Sequence, residues 1–165
     1  MTTLDPQQVL DAIRASRGGY HKLTLLAGTS GSGKTRLLTQ IATQLDLPII
    51  NLSLHLSQRL LPLTRRQRAL KAEQTAMDII DEHLQSGLCL DNTELLFDPA
   101  LRLNPLSFLQ DTSRNRLLVA SWNGTLFEGD LRFGAEGHPD FFSHAVAGVP
   151  VITVSRDKLQ LHLAS

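Results

Sequence analysis

The sequence predicts an α/β fold, a three-layer sandwich in which helices cover both faces of a parallel sheet. Short apolar runs alternate with helix-like patterns through most of the 165 residues, and strands that alternate with helices pair in parallel through right-handed crossovers. The stretch GTSGSGKT at 28–35 lies between one such run and an amphipathic helix pattern. After Trp122, glycines separate short alternating runs, which indicates hairpins.

Two helices and two strands are predicted in the first third of the chain. Asp5 followed by Pro6 is typical of a helix start, and the glycine pair at 18–19 ends that helix. The apolar run at 22–27 predicts a buried strand, and PIINLSL at 48–54 predicts a second one. The helix between them begins inside GTSGSGKT, and its apolar stripe is Leu38, Ile41, Ala42 and Leu45.

A long helical region followed by a strand is predicted in the middle of the chain. Residues 55–87 have a helical pattern that Pro62 breaks and Gly87 ends. The buried stripe of its second part is predicted to be Leu70, Met77, Ile80 and Leu84. The apolar run at 88–90 then predicts a strand that leads into Asp91.

The last third of the chain begins with a helix that Asn104 and Pro105 start. RLLVAS at 116–121 predicts a buried strand, which should lie beside the strand at 22–27. VPVITV at 149–154 predicts a final strand, and we expect it at a sheet edge because Pro150 has no N–H to donate.

Composition predicts one domain over residues 1–165, large enough to bury a core without disulfides or metals. Acidic and basic residues balance at 16 each, so a nucleic-acid partner would need a local patch. The single cysteine, Cys89, lies in an apolar run and indicates a small buried side chain in a reducing compartment. With no signal-peptide pattern and no long apolar run, the protein is predicted to be cytoplasmic and without a membrane partner.

The stretch at 28–35 matches the P-loop pattern G-x-x-x-x-G-K-[ST] and predicts that the chain binds ATP with Mg²⁺. Backbone N–H groups of such a loop and the start of the following helix favour phosphate oxygens. Lys34 should reach the β- and γ-phosphates, and the Thr35 hydroxyl should be a Mg²⁺ ligand. The predicted nucleotide contacts of this segment are Gly28, Thr29, Ser30, Gly31, Ser32, Gly33, Lys34, Thr35 and Arg36.

Asp91 is the predicted second Mg²⁺ ligand, because ligands of α/β sheets lie at the carboxyl ends of the strands. Many P-loop ATPases place a glutamate directly after this aspartate, but Asn92 stands here and an amide cannot take a proton from water. Glu94 is the nearest carboxylate, and a bend after Asp91 would bring it into reach. The alternative is that Glu94 is a solvated acid at a helix start.

Ser121 and Asn123 follow the RLLVAS strand and are candidates to contact the γ-phosphate or the attacking water, unless Asn123 and Gly124 only form a turn. Arg114 and Arg116 precede the same strand, at the end away from the nucleotide of their own chain. Either arginine could therefore act on the nucleotide of a neighbouring subunit, or it is a surface charge.

A basic cluster at Arg65, Arg66, Arg68 and Lys71 is a candidate surface for DNA or an acidic protein, and equally a solvated helix face. The histidines, His138 included, have no metal-ligand spacing, so no zinc site is predicted.

Four stretches together resemble the BrxF family, the small P-loop proteins of type III BREX phage-defence systems: GTSGSGKT, NLSLHLSQRLLPLTRRQR, LDNTELLFDP and SRNRLLVASWNG. The resemblance covers the chain from about Tyr20 to Val154. The positions that carry it most specifically are Asp91, Asn92, Glu94, Phe97, Asp98, Pro99, Arg114, Asn115, Arg116 and Trp122. It implies an AAA-like (ASCE) ATPase core that works beside other BREX defence proteins. The sequence itself predicts no C-terminal helical lid, because the region after Trp122 is hairpin-like.

The predicted function is therefore nucleotide-dependent switching in a defence complex, by a homo-oligomer that binds and hydrolyses ATP. One alternative is a small-molecule phosphotransferase related to nucleotide or shikimate kinases, and another is a module that binds nucleotide without hydrolysis. The predicted catalytic residues are Lys34, Asp91, Asn92, Glu94, Arg114 and Arg116.

Overall fold

The computed structural model describes residues 2–139, 141–146, 148–156 and 158–163. The helices in these ranges are α1 (Pro6–Ser16), α2 (Lys34–Leu45), α3 (Leu52–Leu60), α4 (Arg65–His83) and α5 (Pro105–Thr112). The strands are β1 (Thr2–Thr3), β2 (Leu23–Gly28), β3 (Ile49–Asn51), β4 (Leu88–Asp91), β5 (Leu118–Asn123), β6 (Thr125–Phe127), β7 (Asp130–Phe133), β8 (Phe142–Ala145), β9 (Val151–Ser155) and β10 (Lys158–His162). Two 3₁₀ turns, Glu94–Phe97 and Pro99–Leu101, follow β4.

The main sheet has seven described strands in the order β1-β10-β9-β2-β5-β4-β3. The pairs from β9 to β3 are parallel, whereas β10 and β1 are added antiparallel. Leu23 lies opposite Leu118, and Gly28 lies opposite Asn123, so β2 and β5 begin and end together. The predicted α/β class with a mostly parallel sheet flanked by helices is confirmed.

Successive residues of the central strands contact different helices, because side chains of a strand alternate between its faces. On β2, Leu25 packs in a core with α3, α4 and α5, whereas Leu26 packs in a second core with α1 and α2. Both leucines are fully buried. The sheet is therefore covered by helices on both faces, as the near-continuous apolar runs indicate.

Local capping explains most helix starts. The Asp5 carboxylate accepts a hydrogen bond from the Gln8 N–H at 2.8 Å, and the Gln8 side chain accepts one from the Asp5 N–H at 2.9 Å. This capping box confirms the predicted start of α1. Thr64 and Gln67 form the same arrangement at α4, which begins three residues after Pro62.

Two predicted features of the middle segment are wrong. The strand predicted at 48–54 ends at Asn51, because the Asn51 side chain accepts a hydrogen bond from the Leu54 N–H at 2.9 Å and starts α3 instead. In α4 the predicted stripe is right at Ile80, which is fully buried, and at Met77 and Leu84, which pack half-buried against the core, but Leu70 is 75% exposed. The rest of the buried face is formed by Ala72, Ala76 and Ile79. The side chain predicted to lead the buried stripe therefore faces solvent.

The strand predicted at 149–154 is not at an edge. β9 begins at Val151, just after Pro150, so the missing proline N–H removes no bond within the strand. β10 pairs with β9, and β1 pairs with β10, so β9 lies inside the sheet. The hairpins predicted after Trp122 are confirmed as the small antiparallel sheet β6-β7-β8.

The described helices include none with the length and apolar character needed to cross a membrane.

Cys89 lies on β4 with no exposed surface, and burial raises the pKa of its thiol to about 12. Because the thiolate is the reactive form, the native protein should not react with a disulfide reagent at neutral pH, whereas the unfolded protein should react at one thiol. The number of reactive thiols measured across a urea series should therefore follow the unfolding curve measured by circular dichroism.

The free energy of unfolding should fall as pH rises above 9, because the unfolded thiol ionises first. Fast reaction of the native thiol at neutral pH would contradict the prediction that Cys89 is unreactive in the folded protein.

Candidate functional site

A cavity of about 700 Å³ opens at the carboxyl edge of the sheet, between the loop after β2 and the ends of β4 and β5. This is the edge at which parallel α/β sheets bind their ligands. The residues that line the cavity are Ser30, Gly31, Gly33, Lys34, Thr35, Arg36, Asn51, Asp91, Asn92, Glu94, Ser121 and Asn123. Most of the predicted site residues thus meet in one place.

The loop between β2 and α2 requires its glycines. Gly31 and Gly33 have φ of 79° and 104°, in the left-handed region where other residues are strained. A Cβ on Gly28 would lie 2.7 Å from the Val154 carbonyl oxygen and would also collide with the Ser32 hydroxyl. Gly33 starts α2 without a side-chain cap, so the first N–H groups of this helix are left for a ligand.

The Lys34 side chain is held in the cavity by three hydrogen bonds. Its ammonium donates to the carbonyl oxygens of Gly28 and Thr29, at 2.8 Å each, and to Oδ1 of Asn123 at 3.0 Å. Burial lowers the pKa of Lys34, and the charges of Glu94 and Asp91 oppose that shift. All three hydrogen-bond partners are uncharged oxygens, so the positive charge remains available to an anion in the cavity.

Asp91 and Thr35 form an oxygen pair beside the lysine. The Thr35 hydroxyl donates to Oδ1 of Asp91 at 3.2 Å, and the Asn92 N–H donates to the same oxygen at 2.9 Å. A hydroxyl and a carboxylate are ligands that Mg²⁺ accepts when waters and phosphate oxygens complete its shell. Among the residues that the structure describes, no three His, Cys, Asp or Glu side chains form a metal cluster. The donor set thus fits a Mg²⁺ held jointly with phosphate, rather than a site made by protein alone.

A sharp turn after β4 brings Glu94 to the cavity. Asn92 has φ of 51°, and its carbonyl oxygen accepts from the Ser53 N–H at 2.9 Å. The Leu95 N–H donates to the Ser53 hydroxyl at 3.0 Å, which fixes the 3₁₀ turn that begins at Glu94. Oε2 of Glu94 is buried and has no hydrogen-bond partner in the described part of the chain. The structure therefore contains the bend that brings Glu94 into the cavity wall, and one oxygen of its carboxylate is buried without a donor among the described residues.

Ser121 and Asn123 both line the cavity from β5. Asn123 contacts Lys34, whereas the Ser121 carbonyl oxygen accepts a short bond, 2.6 Å, from the Thr93 hydroxyl. Asn51, which sequence reasoning did not single out, also lies in the wall. Asn51 is the last residue of β3, but the strand was predicted to continue to residue 54, so the sequence pattern placed Asn51 inside a strand instead of at its carboxyl end.

Arg114 and Arg116 lie at the opposite end of the sheet, because they precede β5 and Leu118 pairs with Leu23 at the start of β2. The Arg114 guanidinium donates to the Tyr20 hydroxyl and lies 4.8 Å from the centroid of its ring. Arg116 forms a 2.6 Å ion pair with Asp81 of α4. Neither arginine can reach the cavity of its own chain.

The basic cluster divides into two parts. Arg68 donates to the carbonyl oxygens of Leu60 and Leu61, at 2.9 and 3.0 Å, and so closes the end of α3. Arg65 and Arg66 are exposed and line a separate cavity of about 650 Å³ together with Arg102.

Comparison with protein-family models finds no match to the chain, and a search of curated proteins finds none either.

Proposed function

We propose that this chain is a P-loop protein of the AAA-like (ASCE) class that binds ATP with Mg²⁺ and hydrolyses it. The observation that carries the proposal is the buried Lys34 ammonium, which is held within a glycine loop and lines one cavity together with the Asp91–Thr35 oxygen pair. The position of β5 between the loop strand and the strand of Asp91 supports the AAA-like assignment.

The proposed roles follow from the chemistry of each group. The loop N–H groups, the start of α2 and Lys34 bind the β- and γ-phosphates, with Arg36 at the mouth of the cavity. Thr35 and Asp91 would hold Mg²⁺, which would neutralise phosphate charge when bound. Asn123 and Ser121, which line the cavity, are the proposed contacts of the terminal phosphate or the attacking water.

Glu94 is the proposed group that orients the attacking water and accepts its proton. Asn92 can only hydrogen-bond a water, whereas the Glu94 carboxylate lines the same cavity and has an oxygen without a partner. The position of this carboxylate favours hydrolysis over the alternative of a module that only binds nucleotide.

Titration calorimetry with a non-hydrolysable ATP analogue tests the proposal. We expect one nucleotide per chain and binding that requires Mg²⁺, followed by slow phosphate release when ATP replaces the analogue. A parallel titration with the GTP analogue determines base preference. If the folded protein binds neither analogue, the proposal is wrong.

The proposed biological context is a BREX defence complex, in which the chain works with other BREX proteins and meets DNA directly or through them. The sequence resemblance supports this context. Pull-down of the remaining BREX proteins from a cell that expresses the full system, with and without ATP, is the corresponding test.

We further propose a homo-oligomer in which Arg114 of one subunit acts on the nucleotide of the next. Arg114 is the better candidate because Arg116 is already paired with Asp81. Arg114→Ala should leave ATP affinity unchanged and lower turnover by about 1,000-fold, because an arginine stabilises transition-state charge. Arg14→Ala, an exposed arginine of α1, is the control.

Mixing Arg114→Ala with Lys34→Ala protein should restore part of the turnover, since some sites in mixed oligomers then combine an intact loop with an intact arginine. Unchanged turnover in Arg114→Ala would show that this arginine is a surface charge.

A further inference from the structure

A second cavity, of about 680 Å³, adjoins the proposed nucleotide cavity. It lies between the start of α3, the 3₁₀ turns after β4 and Phe133 of β7. The two cavities share three wall residues, Asn51, Asn92 and Glu94. A molecule in the second cavity would therefore lie next to whatever occupies the first.

The lining of this second cavity is mostly apolar. Leu54, Leu95 and Phe133 are among its apolar wall residues. Leu54 is 51% exposed although it belongs to the first turn of α3 and faces the cavity. Concave apolar surface of this kind, with a small number of polar groups, is typical of small-molecule sites.

The charged residues that line the second cavity are both acidic. Glu94 and Asp98 are in the wall, and no lysine or arginine lines it within the described ranges. Oδ1 of Asp98 accepts from the Ala100 N–H at 2.9 Å, whereas Oε2 of Glu94 is buried and has no hydrogen-bond partner among the residues with described positions. A buried acceptor is stabilised when a donor reaches it, and two nearby carboxylates repel an anion.

We propose that this cavity is the binding site of a second small molecule, one that is uncharged or cationic, has an apolar body and presents an N–H or O–H group to Glu94. The two acidic wall residues disfavour carboxylate- and phosphate-bearing compounds as its ligands. The inference goes beyond the proposed ATPase function, because binding here needs no nucleotide.

Three aromatic probes of nearly equal shape and different charge test the site: benzylamine, benzyl alcohol and benzoate. Each is titrated into the full chain without nucleotide, and backbone amide shifts are followed by NMR. We expect benzylamine and benzyl alcohol to shift the amides of Leu54, Leu95 and Phe133, and benzoate to bind at least about tenfold more weakly than benzylamine. In Glu94→Gln the preference for benzylamine over benzyl alcohol should shrink.

Two matched substitutions on α3 locate the binding. Ser57 is exposed and lines the cavity, whereas its exposed neighbour Gln58 does not. Ser57→Trp should fill the cavity and abolish the probe shifts, while Gln58→Trp should leave them intact. Both variants should bind the ATP analogue as the unsubstituted protein does.

The inference is overturned if benzoate binds as well as benzylamine, if no probe shifts these amides, or if Ser57→Trp leaves the titration unchanged. Probe binding without ATP binding would contradict the proposed function alone, and ATP binding without probe binding would contradict this inference alone.

Discussion

Lys34→Ala is expected to lower the affinity for the ATP analogue by about 100-fold and to abolish phosphate release, because hydrogen bonds between charged groups are among the strongest that a binding site makes. In the free protein the ammonium donates to three neutral oxygens at 2.8 to 3.0 Å. The phosphates would replace some of these partners and compensate the burial that lowers the lysine pKa. Calorimetry and a phosphate-release assay measure both effects.

The alanine variant should remain folded, since Asn123 lines a cavity that water can enter, and loss of the Lys34 side chain from the same wall lets water reach the other two acceptors. Circular dichroism of Lys34→Ala should match that of Lys71→Ala, a control at an exposed lysine of α4. Unchanged affinity in a folded Lys34→Ala protein would mean that the loop does not bind the nucleotide.

Glu94→Gln is expected to lower turnover by 100-fold or more while ATP affinity changes less than about threefold, because loss of a general base typically costs about 10²- to 10⁴-fold in rate. Glutamine keeps the size of the side chain and removes the ability to take a proton at neutral pH. Steady-state phosphate release and calorimetry on the same preparation separate the rate from the affinity.

Glu73→Gln serves as the matched control, because Glu73 is an exposed carboxylate of α4 that lies outside the cavity. Full turnover in Glu94→Gln would assign Glu94 to the cavity wall alone and would favour a different base or a nucleotide that is not hydrolysed.

The sequence predicts those parts of the fold that depend on local chemistry. The Asp5–Pro6 helix start, the apolar strand before the loop and the strand that leads into Asp91 all depend on neighbouring residues, and all are present. The sequence could not predict β1 or β10, since both form by pairing between distant parts of the chain. Long-range pairing leaves a weak local pattern.

Competing local signals explain two errors. Asn51 follows β-branched residues that favour a strand, but its side chain also caps a helix, and the cap determines where β3 ends. In α4 the small residues Ala72 and Ala76 face the core while Leu70 faces solvent. Hydrophobicity alone favours leucine for the buried face, whereas close packing of α4 on its neighbours selects alanine.

The residues of the candidate site also differ in whether the local sequence predicts their positions. The loop residues follow from one contiguous motif, so their convergence could be predicted. The placement of Glu94 depends on a left-handed backbone at Asn92 and on hydrogen bonds to Ser53, which is far away in sequence. Asparagine adopts that backbone more readily than most residues do, but the sequence does not show that it does so here.

Different fluorophores lie at the two ends of the parallel strands. The chain contains one tryptophan and one tyrosine. Trp122 is fully buried, lies 4.7 Å from the Phe97 ring and precedes Asn123, the partner of Lys34. Tyr20 is 67% exposed and stacks with Arg114 at the far edge.

Light absorbed by the indole therefore reports on the cavity, and light absorbed by the phenol reports on the arginine surface. Excitation at wavelengths that only the indole absorbs, combined with a separate record of the phenol emission band at shorter wavelength, would follow the proposed ligand binding and the proposed subunit association in one unlabelled sample.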